Sequence, residues 1–390
     1  MLTQRRVIPI VALALLAAFT GASAAHSAPV PVTPRALPVV YDPPATYEAQ
    51  TTCSPAPKPG TRKLIALLKR TYGANQYMGT SRSCGNGGTS EHKDGRAIDW
   101  MTSMRSPKGR ANATAFLNWL IGPDAAGVPA GNATRLGIMY IGWSNKFWAA
   151  YNPERGWTKL DGCPKGNDTT CHRNHMHISL TWDGASGRTS MWDGTALAPF
   201  CASSRSDAFV IEPGRADAAI PVAPFRVLST RTGTGLVAGS DHGFGWGDHD
   251  DWPGFDDGIP EPIPVPVATL PCRLHPTGWR GDLGGILTKV TGQGGVPETG
   301  VAAVVVKVAA LGSTAPAKIT VWGPGQGTSK VVVKVRLNKS GRGSAIVPVA
   351  SDGTIAFATS AGGTDLAVDV TGYFLAGAQP NRTLVVRQHN

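Results

Sequence analysis

The sequence predicts an α+β domain, in which helices pack on a small antiparallel sheet, followed by an all-β domain of sandwich type. Apolar residues recur at helical spacing over 63–72 and 111–121, both in the first half of the chain. Past Cys201 the pattern changes to short Val-rich runs, and several of these alternate apolar with polar residues. Regular spacing of such runs is typical of a sandwich or a barrel.

The first half contains the predicted helices. The helix over 63–72 is stopped by Gly73, and the helix over 111–121 presents Phe116 and Leu120 on one face. A shorter helix and two strands are expected at 130–136, 137–143 and 175–180. These elements predict a compact domain with few helices and one small sheet.

The second half contains six predicted strands. Glycine, asparagine and aspartate separate them, as expected for turns between antiparallel strands. The six runs are 301–306, 318–322, 330–337, 344–349, 354–359 and 365–370.

The N-terminus has the three parts of a signal peptide. Arg5 and Arg6 precede an apolar run over 7–18, and Ala22-Ser23-Ala24 follows as a small-residue cleavage site. The run is short for a membrane span, so we expect a secreted or cell-wall-associated protein without a stable span after cleavage. The chain is expected to divide into a signal peptide (1–24), a Pro/Ala-rich linker (25–60), a first domain (61–201), a second linker (202–224), a β-rich domain (225–376) and a tail (377–390).

Six cysteines in an exported chain indicate disulfides rather than metal ligands. Cys163 and Cys171 enclose a short polar loop and form the favoured pair. Cys53 with Cys84 would tie the N-terminal segment to the turn before His92, which leaves Cys201 with Cys272. The sequence alone leaves the connectivity open.

The formal net charge of +11 suggests attraction to a polyanionic cell wall or envelope. Lysine and arginine are scattered along the chain and not interleaved with aromatic residues, so the pattern of a nucleic-acid-binding protein is missing. We therefore expect no nucleic-acid partner, and we expect a monomer.

Two short segments carry the residues that suggest chemistry. The first, residues 87–100, contains His92 and Asp99, seven positions apart with Gly95 between them. In the second, His175 and His177 stand two apart on a predicted strand, so both imidazoles face one side. Two imidazoles and one carboxylate are typical of a catalytic zinc site, which leaves one position open for water.

These motifs resemble those of the LAS group of zinc peptidases. The pattern Ser-x-His-x-x-Gly-x-Ala-x-Asp, from Ser90 to Asp99, resembles the D-Ala-D-Ala carboxypeptidases of the vancomycin-resistance type. The pattern His-x-x-His-x-His, from His172 to His177, is similar to that of penicillin-insensitive murein endopeptidases. The wider similarity, over roughly residues 50–200, is to a secreted actinobacterial subfamily. The second half resembles a β-rich accessory module of exported actinobacterial proteins.

The resemblance implies a role for each residue. His92, Asp99 and His177 would bind one Zn²⁺ per chain. His175 would act as the general base or hold the oxyanion, His172 would support it, and Arg82 would hold a carbonyl or carboxylate of the substrate.

The implied function is hydrolysis of peptidoglycan peptides by a zinc-dependent peptidase of the D,D-carboxypeptidase or endopeptidase type. The alternative is a non-catalytic envelope-binding or adhesion protein, in which the β-rich half binds and the metal site is structural or vestigial. Intact ligand residues favour the peptidase. Which bond is cut, and what the β-rich half binds, stay open.

A second cluster of potential ligands lies at 241–257, where histidine and aspartate alternate with glycine and tryptophan. The segment has no helical or strand periodicity, and we interpret it as a solvated loop rather than a second metal site.

Overall fold

The computed structural model describes residues 28–201, 219–237, 271–276, 285–325 and 329–376. The predicted signal peptide, most of the second linker, the segment 241–257 and the C-terminal tail lie outside these residues. Among the described helices, none is both long and apolar enough to cross a membrane.

The segment 28–58 has no helix or strand, as predicted, yet it packs on the first domain. The Asp42 carboxylate is buried and accepts hydrogen bonds from the backbone N–H of Ser190 at 2.9 Å. From the other side, Arg135 donates to the carbonyl of Pro38 at 2.8 Å. The predicted linker is therefore held along its length, because buried charged groups of the domain find their partners in it.

The first domain is built on a six-stranded sheet with the order β1-β2-β6-β3-β4-β5, in which every neighbouring pair is antiparallel. This confirms the predicted antiparallel sheet. Its strands are β1 (Met78–Gly79), β2 (Ala97–Trp100), β3 (Ile138–Trp143), β4 (Lys146–Ala149), β5 (Thr158–Lys159) and β6 (Met176–Leu180).

Helices of this domain cover the sheet. They are α1 (Pro59–Tyr72), α2 (Glu91–Asp94), α3 (Pro107–Ile121), α4 (Gly131–Leu136), α5 (Trp182–Ser186) and α6 (Ser190–Asp193), with a 3₁₀ turn at Pro153–Arg155. Helix α1 ends at Gly73, as predicted, and buries Leu64, Leu67 and Leu68. Each buried leucine contributes about 1.5–3 kcal/mol relative to an exposed one. The Tyr72 ring packs on Trp100 of β2, with a centroid distance of 4.7 Å.

The second half consists of two four-stranded antiparallel sheets, ordered β11-β10-β13-β8 and β12-β9-β14-β7. Val, Ile and Leu side chains of both sheets contribute to one buried cluster. Each of the six predicted runs overlaps a strand, and two of them, 330–337 and 344–349, extend one or two residues past its end. The strands are β7 (Ile220–Ser229), β8 (Ile286–Lys289), β9 (Val301–Leu311), β10 (Ala317–Trp322), β11 (Lys330–Val335), β12 (Gly341–Pro348), β13 (Thr354–Thr359) and β14 (Asp365–Leu375).

The two halves are joined by buried polar contacts at α5, the helix that follows β6. Arg273 donates to both carboxylate oxygens of Asp183, at 2.8 and 2.7 Å. Trp182 is fully buried and packs with Ala315 and Ala361 of the second half. A buried ion pair with two hydrogen bonds fixes the relative orientation of its partners as well as their distance. Arg273 of the second half is therefore held against α5, just after the end of β6.

The three disulfides join the pairs that the sequence favoured. They are Cys53–Cys84, Cys163–Cys171 and Cys201–Cys272, and none of the described cysteines is free. Disulfides are typical of oxidising, non-cytoplasmic compartments.

Candidate metal centre

His92 lies in a single helical turn, α2, where the sequence predicted only a turn. The turn ends at Gly95, whose φ of 71° is left-handed, and a Cβ there would lie 2.1 Å from the carbonyl oxygen of Ala56. Glycine is therefore required for the chain to reverse into β2 at this point. The reversal brings His92 over Asp99 on β2, with His92 Nε2 3.2 Å from Asp99 Oδ1.

Asp99 and His177 are directly paired across β2 and β6. Directly opposite residues of an antiparallel pair share one face, so both side chains point to the same side of the sheet. His177 Nδ1 lies 2.9 Å from Asp99 Oδ1. One carboxylate oxygen is thus approached by two imidazole nitrogens from two different elements.

His175 immediately precedes β6, whereas the sequence predicted that it lies within the strand. It is nevertheless buried, and its Nε2 lies 3.6 Å from Asp99 Oδ1. Its Nδ1 lies 2.7 Å from the side-chain oxygen of Asn174. The Asn174 oxygen can only accept, so Nδ1 is the donor of this hydrogen bond. In a neutral ring Nε2 then has no proton, and its lone pair faces Asp99.

His172 reaches the same face through an unusual backbone conformation. Its φ is 50°, which is left-handed and rare for a residue other than glycine. Its ring lies over Gly142 of β3, where a Cβ would approach the ring within 3.2 Å. The ring centroid is 4.9 Å from that of His175 and 5.7 Å from that of His177. His172 Nδ1 is buried without a hydrogen-bond partner among the described residues.

A hydrogen-bonded chain supports the far side of His177. Its Nε2 lies 2.8 Å from the hydroxyl of Ser179, which in turn donates to Glu91 Oε2 at 3.5 Å. The same Glu91 oxygen accepts a short hydrogen bond from the Tyr140 hydroxyl. Tyr140 stacks on the His177 ring, with a centroid distance of 5.4 Å. If His177 donates from Nε2, its Nδ1 lone pair faces Asp99 and any cation beside it.

The sequence interpretation missed Ser179, Tyr140 and Asn174. Ser179 had a visible signal, since it lies two positions after His177 and so shares its face of the strand. Glu91 lies in the helical turn next to His92, and its carboxylate accepts hydrogen bonds from Tyr140 and Ser179.

Burial and the two neighbouring histidines act in opposite directions on the pKa of Asp99. Burial alone raises its pKa, but the bonds from His177 and His92 outweigh burial and hold the pKa well below its usual range. Burial, with the nearby His177 and His175, lowers the pKa of His172 to about 4. Burial also lowers the pKa of His175. His172 and His175 are therefore neutral at physiological pH, and neutral imidazole is the form that binds metals or accepts a proton.

Arg82 and Asp94 lie outside the histidine cluster. Arg82 is exposed, near the Cys53–Cys84 disulfide, and its side chain forms no hydrogen bond or ion pair with any described residue. Asp94 is fully buried and accepts hydrogen bonds from Thr52 and Arg96. Its role is to anchor the N-terminal segment beside α2.

The donor set at Asp99 fits a small divalent cation. One ligand atom each from His92, Asp99 and His177 lies within 4.8 Å of the others, and this group could hold a metal ion. Two imidazole nitrogens and one carboxylate oxygen are the ligand types that zinc takes in catalytic sites. No metal is identified by the geometry alone.

Residues 53–175 match the family described as VldE, C-terminal domain. The matched segment begins at the first disulfide and includes His92, Asp99, His172 and His175, but it ends before His177. No curated protein matches the chain.

Proposed function

We propose that this chain is a secreted, zinc-dependent peptidase that hydrolyses peptidoglycan peptides, as a D,D-carboxypeptidase or an endopeptidase. We further propose that the first domain has the LAS peptidase fold and that the two sheets of the second half form a sandwich-like accessory domain. The observation that carries the proposal is the convergence of His92 Nε2 and His177 Nδ1 on one oxygen of Asp99, at 3.2 and 2.9 Å.

His92, Asp99 and His177 would hold the ion. Bound zinc polarises a carbonyl and lowers the pKa of a water molecule bound to it toward about 7. Three protein ligands leave a position open, which a purely structural zinc site would close with a fourth residue. The negative charge of Asp99, kept ionised by its low pKa, offsets part of the charge of the cation.

His175 would move the proton. Its Nε2 is the free nitrogen, because Nδ1 is engaged by Asn174 at 2.7 Å, and it lies beside Asp99 without being part of the ligand group. A neutral imidazole beside the ligand group can accept a proton from a water molecule and return it to the leaving amine. His172 would limit the motion of His175, because the two rings pack together with a centroid distance of 4.9 Å.

The substrate class follows from the resemblance to LAS peptidases, and Arg82 supports it. Its guanidinium is exposed and pairs with none of the described residues, so it could form a planar, bidentate bond to a substrate carboxylate. A substrate terminating in a D-amino acid would supply that carboxylate. The oxidising compartment indicated by the disulfides is the one in which peptidoglycan is found.

Mass spectrometry of muropeptides tests the proposal. Purified, zinc-replete protein is incubated with a muropeptide mixture, and the loss of a terminal D-amino acid or the cleavage of a cross-link identifies the bond. Chelated protein and an Asp99→Asn variant serve as controls, and both should be inactive. A zinc-replete protein that leaves every muropeptide intact would contradict the peptidase and favour the non-catalytic envelope-binding protein.

A further inference from the structure

One stretch of the second half is basic throughout. Residues 299–351 contain seven lysines and arginines and neither aspartate nor glutamate. In the structure this stretch forms strands β9 to β12, so the chain concentrates positive charge where the two sheets present neighbouring edge strands, β11 and β12. The charges look scattered along the sequence, but the fold gathers them.

Two of these lysines face each other across a strand pair. Lys318 on β10 is directly opposite Lys334 on β11, and both side chains are exposed. Directly opposed like charges destabilise a sheet. Arg336 lies two positions after Lys334, just past the end of β11 at Val335, and it is also exposed. We call Lys318, Lys334 and Arg336 the basic edge.

The basic edge has no acidic partner among the residues that the structure describes, whereas other basic residues of this half do. Lys289 Nζ lies 2.6 Å from Glu298, and Arg231 Nε lies 2.7 Å from Asp365. Arg226 is paired with Asp369. Within the described part of the chain, none of the three residues of the basic edge forms an ion pair. Their charges are therefore not compensated by any acidic residue that the structure describes.

The basic edge is anchored near the first domain. The loop that follows Arg336 contains Asn338, whose side chain donates to the carbonyl of Ser186 in α5 at 3.0 Å. Helix α5 follows the strand that carries His177. A ligand bound at the basic edge would therefore be held at a fixed position relative to the metal centre.

We propose that the basic edge binds a linear polyanion with repeating phosphate groups and no nucleobases. Lysine acts as a point charge for phosphate, and a row of such charges suits a polymer with repeating phosphates. The exposed large apolar side chains nearest the edge in sequence are Val331 and Ile346, and neither is aromatic. Nucleobases would be bound by stacking on exposed aromatic rings, which this edge does not offer.

This binding goes beyond the proposed hydrolysis and does not depend on it. The test therefore uses the His177→Ala variant, which should lack the metal, as well as the wild-type protein. Both should bind inorganic polyphosphate of defined length, measured by fluorescence anisotropy over a range of salt concentrations. Orthophosphate at the same phosphate concentration and a single-stranded oligonucleotide are the competing ligands.

The decisive variant is Lys318→Gln/Lys334→Gln/Arg336→Gln. Its matched control, Lys289→Gln/Arg226→Gln/Arg231→Gln, removes the same charge from residues that already have acidic partners. We expect the edge variant to lose about tenfold or more in affinity and its salt slope to fall by about two, as for the loss of three phosphate contacts. The control should bind like the wild type, and thermal melting should show both variants folded.

Three outcomes would overturn the proposal. Equal losses of polyphosphate affinity in the edge variant and its control would show that binding depends on the net charge of the protein and not on the basic edge. If orthophosphate competes as strongly as unlabelled polyphosphate at the same phosphate concentration, the basic edge binds single phosphates and not a polymer. Tighter binding of the oligonucleotide than of polyphosphate would identify nucleic acid as the partner.

Discussion

His177 Nε2 lies 2.8 Å from the hydroxyl of Ser179, two residues further along the same strand. Because the hydroxyl donates its own hydrogen to Glu91, it can accept a hydrogen bond from His177 Nε2, which would leave the Nδ1 lone pair facing Asp99. His92 has no equivalent support, since its Nδ1 is buried without a partner among the described residues. The two histidines are therefore oriented differently, one by a hydrogen-bonded chain and the other by packing in α2.

Ser179→Ala should weaken zinc binding. Without the hydroxyl, His177 loses the group that orients Nδ1 toward Asp99, and the loss of such a supporting contact typically costs 10- to 100-fold in metal affinity, so we expect about that effect. Competition with a chromophoric chelator measures the affinity. Ser344→Ala, on the exposed face of β12, is the control and should bind zinc like the wild type. Unchanged affinity in Ser179→Ala would assign the orientation of His177 to packing alone.

His177→Ala and His175→Ala should separate metal binding from proton transfer. Replacing His177 should remove the metal, because two remaining protein ligands rarely hold zinc tightly. Replacing His175 should leave zinc in place and reduce turnover by about 10²- to 10⁴-fold, the usual contribution of general acid–base catalysis. Metal stoichiometry and hydrolysis rate are measured side by side. If His175→Ala loses zinc while His177→Ala keeps both zinc and activity, the two assignments are reversed.

Glu48 should make stability depend on pH. Burial raises its pKa to about 7 from an ordinary 4.5, opposed by Arg96 and reinforced by Asp183. The folded protein thus binds this proton more tightly than the unfolded chain does. The resulting stability is fully present below pH 4.5 and is lost as the pH rises through 7.

Glu48→Gln removes that dependence, because the amide stays neutral and its oxygen can still accept the hydrogen bond from the Trp182 N–H. The melting temperature of the variant relative to the wild type should therefore rise between about pH 5 and pH 8. Glu154→Gln, at an exposed position in the 3₁₀ turn, is the control. A difference that stays constant with pH would show that Glu48 does not carry this linkage.

Removal of the Cys163–Cys171 disulfide should affect turnover as well as stability. Closing so short a loop is worth about 2–3 kcal/mol of unfolding free energy in the chain-entropy description. Cys171 also precedes His172, whose left-handed backbone holds its ring over Gly142. We expect the double serine variant to keep zinc and lose turnover, measured beside thermal unfolding. The matched Cys201→Ser/Cys272→Ser variant should lose stability alone, and an equal loss of turnover in both would refute a role for the loop.

The sequence by itself determined the local elements and pointed to His92, Asp99 and His177, the group that could hold a metal ion. Apolar residues at helical spacing predicted helix α1, and the glycine at position 73 predicted its end. The strands of the second half followed from their Val-rich runs. Loop size favoured the Cys163–Cys171 pair, although the sequence left the full connectivity open. The two-residue spacing of His175 and His177 suggested a shared face.

Only the tertiary structure decided what depends on contacts between distant segments. The register of β2 against β6 sets Asp99 opposite His177, and a shift by one residue would have turned one of them to the other face. The His172 ring lies over Gly142 of β3, a contact between segments thirty positions apart that no local pattern encodes. The basic edge exists because the pairing of β10 with β11 sets Lys318 opposite Lys334, sixteen positions apart in the chain. The spacing of residues along the chain determines which side chains share a face of one helix or strand. Which helices and strands become neighbours is determined by how the whole chain buries its apolar surface.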